Sequence, residues 1–342
     1  MALDTVDADQ AGRRQMLERI RGHQLAAMLH SAAWLELSDR IDPGDVTIED
    51  LSAMVGVSAR PLRRLLRGLA AHGVFDLSSG DIVRNNAQSR WLSRTTPGSL
   101  QAAAKYWSLP VCWTAWGDLR DALREDRNSF EVRHSQSFFS YLDENPAESQ
   151  VFDQFMSASP DDRHAAVVAA LALDDGVLVV DVGGGDGTLL AAILDANPSV
   201  RGLLVDRPAV IAQPHQRLGR FNSRCTALAG DFQKEVPVGD VYILSQIVHD
   251  WNDEEVTQLF QNCVDAMNPG GRVVVVERRM GSISEPGDTL NYLSDLEMLT
   301  LLPGWERTDE EYAALAEASG LKLTRITGTA SPFALFELCK PA

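Results

Sequence analysis

Apolar residues recur at every third or fourth position through the first hundred residues, as in MLERIRGHQLAAMLHSAAWLEL (16–37), and this spacing predicts amphipathic helices. In TIEDLSAMVGVSARPLRRLLRGLAAHGVF, Thr47 stands where it can cap one helix, with Asp50 at the capping-box position. Gly56 makes the turn, and Ser58 opens a second helix. FDLSSGDIVRN then reads as a small hairpin, which completes a winged-helix outline. Residues 101–175 continue as helices rich in aromatics, among them Tyr106, Trp107, Trp113, Trp116, Phe138, Phe139, Tyr141, Phe152 and Phe155.

From Gly176 the period changes. Apolar runs at Val177–Val182, RGLLVD (201–206), CTALAG (225–230), DVYILS (240–245) and RVVVVE (272–277) read as buried parallel strands. Helical stretches such as Thr188–Ala196 and DEEVTQLFQNCVDAM separate them, and LKLTRIT and PFALFELC read as a closing hairpin. The predicted fold is a doubly wound, Rossmann-like α/β domain (176–342) behind a winged-helix domain (1–100) and a helical region (101–175). Right-handed crossovers then put a binding crevice at the C-terminal ends of the strands.

Composition narrows the function. The first hundred residues carry 12 Arg against 12 Asp plus Glu, so the remainder holds the whole net charge of −17. Arg60, Arg63, Arg64 and Arg67 could form a DNA-reading face, but a neutral segment on an acidic body argues for a solvated or subunit-contacting face and no nucleic-acid partner. Cys112, Cys225, Cys263 and Cys339 lie singly with no CxxC pair, which points to reduced thiols and no metal site. No apolar run reaches the ~18 residues of a membrane span, and the acidic start MALDTVDADQ has no secretory core, so a cytoplasmic protein is expected.

The stretch VVDVGGGDGTLL (179–190) crowds Gly183, Gly184, Gly185 and Gly187 into a strand-to-helix turn, where α/β sheets bind nucleotides. A dinucleotide site wants GxGxxG, yet the third position is Thr188. The spacing is instead DxGxGxG from Asp181. A carboxylate there would repel a pyrophosphate and suits a ligand carrying an amino group and a sulfonium, such as S-adenosylmethionine. At the next strand ends, Asp206 can accept from ribose hydroxyls, and Asp231 with Phe232 offers an acceptor and an aromatic face for adenine. Ser245 and Gln246 end the fourth strand.

With DVGGGDG, LLVDRPAVI, AGDF, HDWNDEE and GWERTDEEYAALAEASGL, the chain resembles the plant-type small-molecule O-methyltransferases and their bacterial natural-product relatives over nearly its whole length. The resemblance implies S-adenosylmethionine ligands at Gly183, Asp206, Asp231 and Phe232, with Ser245 as in the bacterial branch. It implies His249 as catalytic base flanked by Glu277 and Glu306. It also implies a homodimer whose N-terminal domain helps close the partner's substrate pocket. Gln246 stands where the plant pattern has Lys, and Leu302 where it has Asn, so plant-like phenylpropanoid specificity is not expected.

The chemistry is coherent in itself. A phenol with a pKa near 10 needs a base at neutral pH, and a histidine of pKa near 6.5 can be one, oriented by a carboxylate on its other nitrogen. Aromatic and apolar side chains at Trp107, Phe152, Phe155, Met156, Met298 and Leu302 point to a flat pocket for a polycyclic phenol of the aromatic polyketide or phenazine type. Two other readings stay open: the same scaffold turned to hydroxylation or decarboxylation, and a winged-helix regulator.

Overall fold

The computed structural model describes residues 2–42, 44–158, 161–212, 217–221, 223–281 and 288–341, without the side chains of 2–9, 161 and 162. They form two compact units. One is Met1–Pro110 with Gln154–Ala158, and the other is Val111–Asp153 with Ser159–Ala342. Residues 101–175, set apart by the sequence pattern, are divided between them.

In the first unit the winged-helix outline is present. The helices Gly22–Trp34, Ile48–Val55 and Ala59–Ala71 bury Ala32, Leu51, Leu62, Leu66 and Leu69 in one core with Phe75 and Val83. Thr47 Oγ1 accepts from the Asp50 amide at 3.1 Å, and Gly56 ends that helix in the left-handed region at φ 68°. Strands β1 (Val46–Thr47), β2 (Asp76–Ser78) and β3 (Ile82–Arg84) pair antiparallel in the order β1-β3-β2. Arg63 is not free for nucleic acid: it bridges Asp81 at 2.8 Å and Glu49 at 3.2 Å, tying the second helix to the wing.

In the second unit, β4 (Leu178–Val182), β5 (Arg201–Asp206), β6 (Cys225–Ala229), β7 (Gly239–Ser245), β8 (Met267–Arg278), β9 (Lys322–Gly328) and β10 (Phe333–Cys339) form one sheet. Its order is β6-β5-β4-β7-β8-β10-β9. The first five are parallel, and β10 runs antiparallel to both neighbours, as the expected hairpin requires. One face buries Tyr242, Leu244, Val273 and Val275 with Val256, Leu259, Phe260 and Tyr312 from two helices. The other buries Val179, Ile243, Val274 and Val276 with Val167, Leu190 and Ile193. Two buried faces explain why these strands read as unbroken apolar runs. The helix Thr188–Ala196 begins where expected, behind Gly187 at φ 78°. β8 starts five residues earlier than the apolar run, because Met267 already pairs with Gly239 before a register irregularity.

Candidate active site

β4 turns into the glycine loop against β5, where the Gly183 amide donates to Val205 O at 2.7 Å. Gly183 and Gly185 lie at φ 69° and 58°. A Cβ on Gly183 would stand 2.3 Å from Ile247 Cδ1, whereas one on Gly185 would meet nothing within 4 Å, so Gly185 is required for its conformation and leaves space above the loop. The Gly185 amide donates to Asp206 Oδ2 at 2.8 Å, and the Arg207 amide to Asp206 Oδ1 at 2.7 Å. Asp206, at the end of β5, therefore shapes the loop. Burial raises its pKa, against these two amides.

Asp181 departs from the position the sequence argument gave it. It is 1% exposed, and its Oδ2 lies 2.5 Å from where a Gly184 Cβ would be, so the carboxylate sits under the loop. Burial, then the charges of Asp206 and Asp186, push it up to about 7. The alternation of a strand explains this: Asp181, the penultimate residue of β4, shares the face of Val179, which the helix Thr188–Ala196 covers.

Asp231 is half-exposed and pairs with Lys234 at 2.9 Å. Phe232 meets Trp251 edge-on at 5.9 Å, and Trp251 stacks on Phe139 at 6.2 Å. Trp251 Nε1 is buried with no hydrogen-bond partner among the described residues. Neither Trp251 nor Phe139 was among the expected site residues, although Trp251 stands only two residues past His249. Ser245 ends β7, and Gln246 follows at φ 55°, a left-handed conformation that a non-glycine residue holds at some cost.

The strand-end turn after Gln246 carries His249, which is 5% exposed. Glu277, at the end of β8, accepts through Oε1 from the amides of Ile247 and Val248 at 2.9 Å each and of His249 at 3.4 Å. His249 Nδ1 faces Glu306 Oε1 at 3.0 Å and Glu277 Oε2 at 3.4 Å, while Nε2 lies 3.3 Å from Asp250 Oδ1. Ser294 Oγ donates to Glu306 Oε1 at 2.7 Å. The structure thus brings together the three expected residues and adds Asp250 and Ser294.

This surrounding corrects the proton balance. Burial opposes charge on the ring, but Glu277, Glu306 and Asp250 outweigh it and raise His249 from 6.5 to about 10. Burial pushes Glu277 up to about 7 and Asp250 to about 6; burial also acts to raise Glu306, but His249's charge and hydrogen bond hold it below the usual value. The protons belong to the cluster rather than to one atom.

Arg307 was missed altogether. It is wholly buried, donating from Nη1 to Val248 O and from Nη2 to Trp251 O, both at 2.8 Å. Its Nε and Nη2 also reach Asp253 Oδ1 at 3.1 and 2.9 Å. Gly304 packs where any Cβ would fall 2.2 Å from His249 O. The segment 304–307 thereby braces both sides of the histidine.

Of the expected substrate residues, Trp107, Phe155 and Met156 belong to the first unit, and Phe152, Met298 and Leu302 to the second. Phe155 stacks on Tyr106 at 4.5 Å and meets Trp107 at 5.3 Å. Phe152 packs edge-on against Phe138 and Phe139. Met298 and Leu302 are buried.

Residues 116–322 match the model of the O-methyltransferase domain, and residues 17–95 that of the O-methyltransferase dimerisation domain. The chain is 34% identical to the mitomycin biosynthesis 6-O-methyltransferase of Streptomyces lavendulae, over 90% of this chain and 88% of that one. It is 35% identical to the phenazine O-methyltransferase PhzM of Lysobacter antibioticus, over 94% of each. The solved structure of the mitomycin 7-O-methyltransferase MmcR superposes with a TM-score of 0.92 at 32% identity, covering 98% of this chain and 100% of that one. With its glycine loop, its strand-end carboxylates and its buried histidine cluster, the chain belongs to the family of O-methyltransferases that serve natural-product pathways.

Proposed function

We propose that this enzyme methylates a phenolic hydroxyl of a polycyclic aromatic natural product, of the aromatic polyketide or phenazine type, with His249 as the proton acceptor. The observation that carries the reading is the His249–Glu306 contact beside Glu277, because two carboxylates at Nδ1 favour a proton there, so that Nε2, whose neighbour is Asp250 at 3.3 Å, is the nitrogen that would exchange a proton with an acceptor hydroxyl. S-adenosylmethionine is the cofactor of the family. Gly183, Gly185, Asp206, Asp231, Phe232, Ser245 and Gln246 would hold it, with Asp181 supporting the loop from below. The open space over Gly185 and the unpartnered Trp251 Nε1 fit such a ligand. Bound there, the cofactor supplies an electrophilic methyl and a sulfonium charge that opposes a second proton on a nearby imidazole. Nε2 then takes the hydroxyl proton as the oxygen attacks. Glu277 and Glu306 stabilise the imidazolium so formed.

A mass-spectrometric screen of hydroxyarenes with labelled cofactor should show transfer to polycyclic phenols. Activity confined to amines or to simple monocyclic phenylpropanoids would overturn the substrate class.

Asp206→Ala should weaken S-adenosylhomocysteine about 10- to 100-fold, since a hydrogen bond to a carboxylate is worth about 1.5–3 kcal/mol and the loop loses its anchor at Gly185. Calorimetry reads this, and an unchanged affinity would remove Asp206 from the cradle.

The matching dimerisation domain, together with the exposed Met16, Leu17, Ile20 and Trp34, supports a homodimer built through the N-terminal helices. Light scattering should give twice the chain mass, and replacing Met16, Leu17 and Ile20 with polar residues should shift it to monomer. A monomeric wild type would end that proposal.

A further inference from the structure

Beyond the histidine cluster, two guanidinium groups share one aromatic ring at the C-terminal end of β8. Arg163, from the helix Asp161–Ala170, and Arg278, the last residue of β8, stand 5.2 and 5.0 Å from the centroid of Phe333. Arg163 Nη1 donates to Gln246 Oε1 and Arg278 Nη1 to Asn291 Oδ1 at 3.2 Å, both neutral acceptors. The Nε of each is buried with no partner, and among the described residues neither arginine has a carboxylate within ion-pair distance. Buried donors of charged groups are almost always satisfied, and two like charges over one ring repel. Burial and then Arg278's charge lower the Arg163 guanidinium to about 10, the direction expected when an anion is missing. Gln246, which receives Arg163, is itself held in the left-handed region.

We infer that Arg163 and Arg278, with Gln246 orienting the first, form a receptor for the carboxylate of a bound small molecule. The planar fork of an arginine matches a carboxylate, and a pair of forks over an apolar ring holds one anion while excluding water. A neutral partner, or the through-space charges of Glu277 and Glu306, leaves both Nε donors unused. Two ligands of the methyl-transfer reading, on which the inference rests, can bring that carboxylate: the amino-acid end of the cofactor, and an aromatic hydroxy acid as acceptor.

Four probes separate these sources by calorimetry: S-adenosylhomocysteine and its decarboxylated amine analogue, and 2-naphthol with a carboxylated hydroxynaphthalene in the presence of S-adenosylhomocysteine. Binding of S-adenosylhomocysteine by the wild type tests the methyl-transfer reading itself. The inference is tested by the preference for the carboxylated member of either pair, which should be about 10- to 100-fold. In Arg163→Gln and Arg278→Gln that preference should fall to near one. Loss within the cofactor pair assigns the site to the cofactor's carboxylate, and loss within the naphthol pair assigns it to the acceptor. If both variants keep the full preference in both pairs, the inference is overturned. The two arginines lie on separate elements, and circular dichroism identifies a variant that has not folded, in which case the other decides.

Discussion

Replacing His249 with alanine should lower turnover by ~10² to 10⁴ while S-adenosylhomocysteine still binds with wild-type affinity. The size of the loss should depend on the acceptor. Near pH 8, a phenol whose own pKa is near 10 needs its proton removed, and the variant should suffer the full penalty. An acceptor acidic enough to be ionised at that pH needs no base, so its penalty should be small. Equal penalties for both acceptors would mean that the ring only positions the substrate. The pH profile carries a second signature. Because the surrounding carboxylates raise His249 to about 10, its base form grows as pH rises, and the wild-type rate should climb on the alkaline side of neutrality. Glu306→Gln removes one of those charges, lowers the histidine's pKa, and should move the climb to lower pH. A profile that stays in place would separate the climb from this cluster.

Arg307→Met should destabilise the protein by about 1–3 kcal/mol. The substitution keeps the buried volume but takes the guanidinium donor from Trp251 O, at about 1–3 kcal/mol for a buried acceptor, and leaves Val248 O only the Trp251 amide at 3.4 Å. Arg307→Lys should rescue only part of this, since one ammonium cannot span two carbonyls and Asp253 as the fork does. Urea denaturation of the three proteins measures the effect. A loss below about 1 kcal/mol for Met would show that water replaces the guanidinium, and the bracing role would fall.

How much of this was legible in the chain depended on whether a local pattern recorded it. The strands were, because burial on both faces leaves apolar runs, and so were the polar positions at their ends: Asp206 closes β5, and His249 lies four residues past the end of β7. The first residues of β8 were not: Met267 closes the stretch read as helical and the apolar run begins only at Arg272, whereas the strand starts at Met267, which pairs with Gly239 of β7. Asp181 was legible in place but not in direction, since the strand's alternation turns it beneath the loop. Arg307 and Arg163 look like surface arginines in polar segments. Their burial comes from elements far away in sequence, Val248 to Asp253 for one and Gln246 with Phe333 for the other. The raised pKa of His249 was hidden for the same reason, because its three acidic neighbours come from residues 250, 277 and 306.

The amides of Ile247, Val248 and His249 are held by the side chain of Glu277 and not by their own segment. Such a turn is not portable: the stretch 245–251, grafted into another sheet, would carry the histidine but not its orientation. An engineer moving this activity between scaffolds must transfer the end of the adjacent strand and the 304–307 segment as one unit. Random changes at Glu277 in a directed-evolution library should accordingly be lost together with changes at His249, even where a variant's own chemistry needs no second carboxylate.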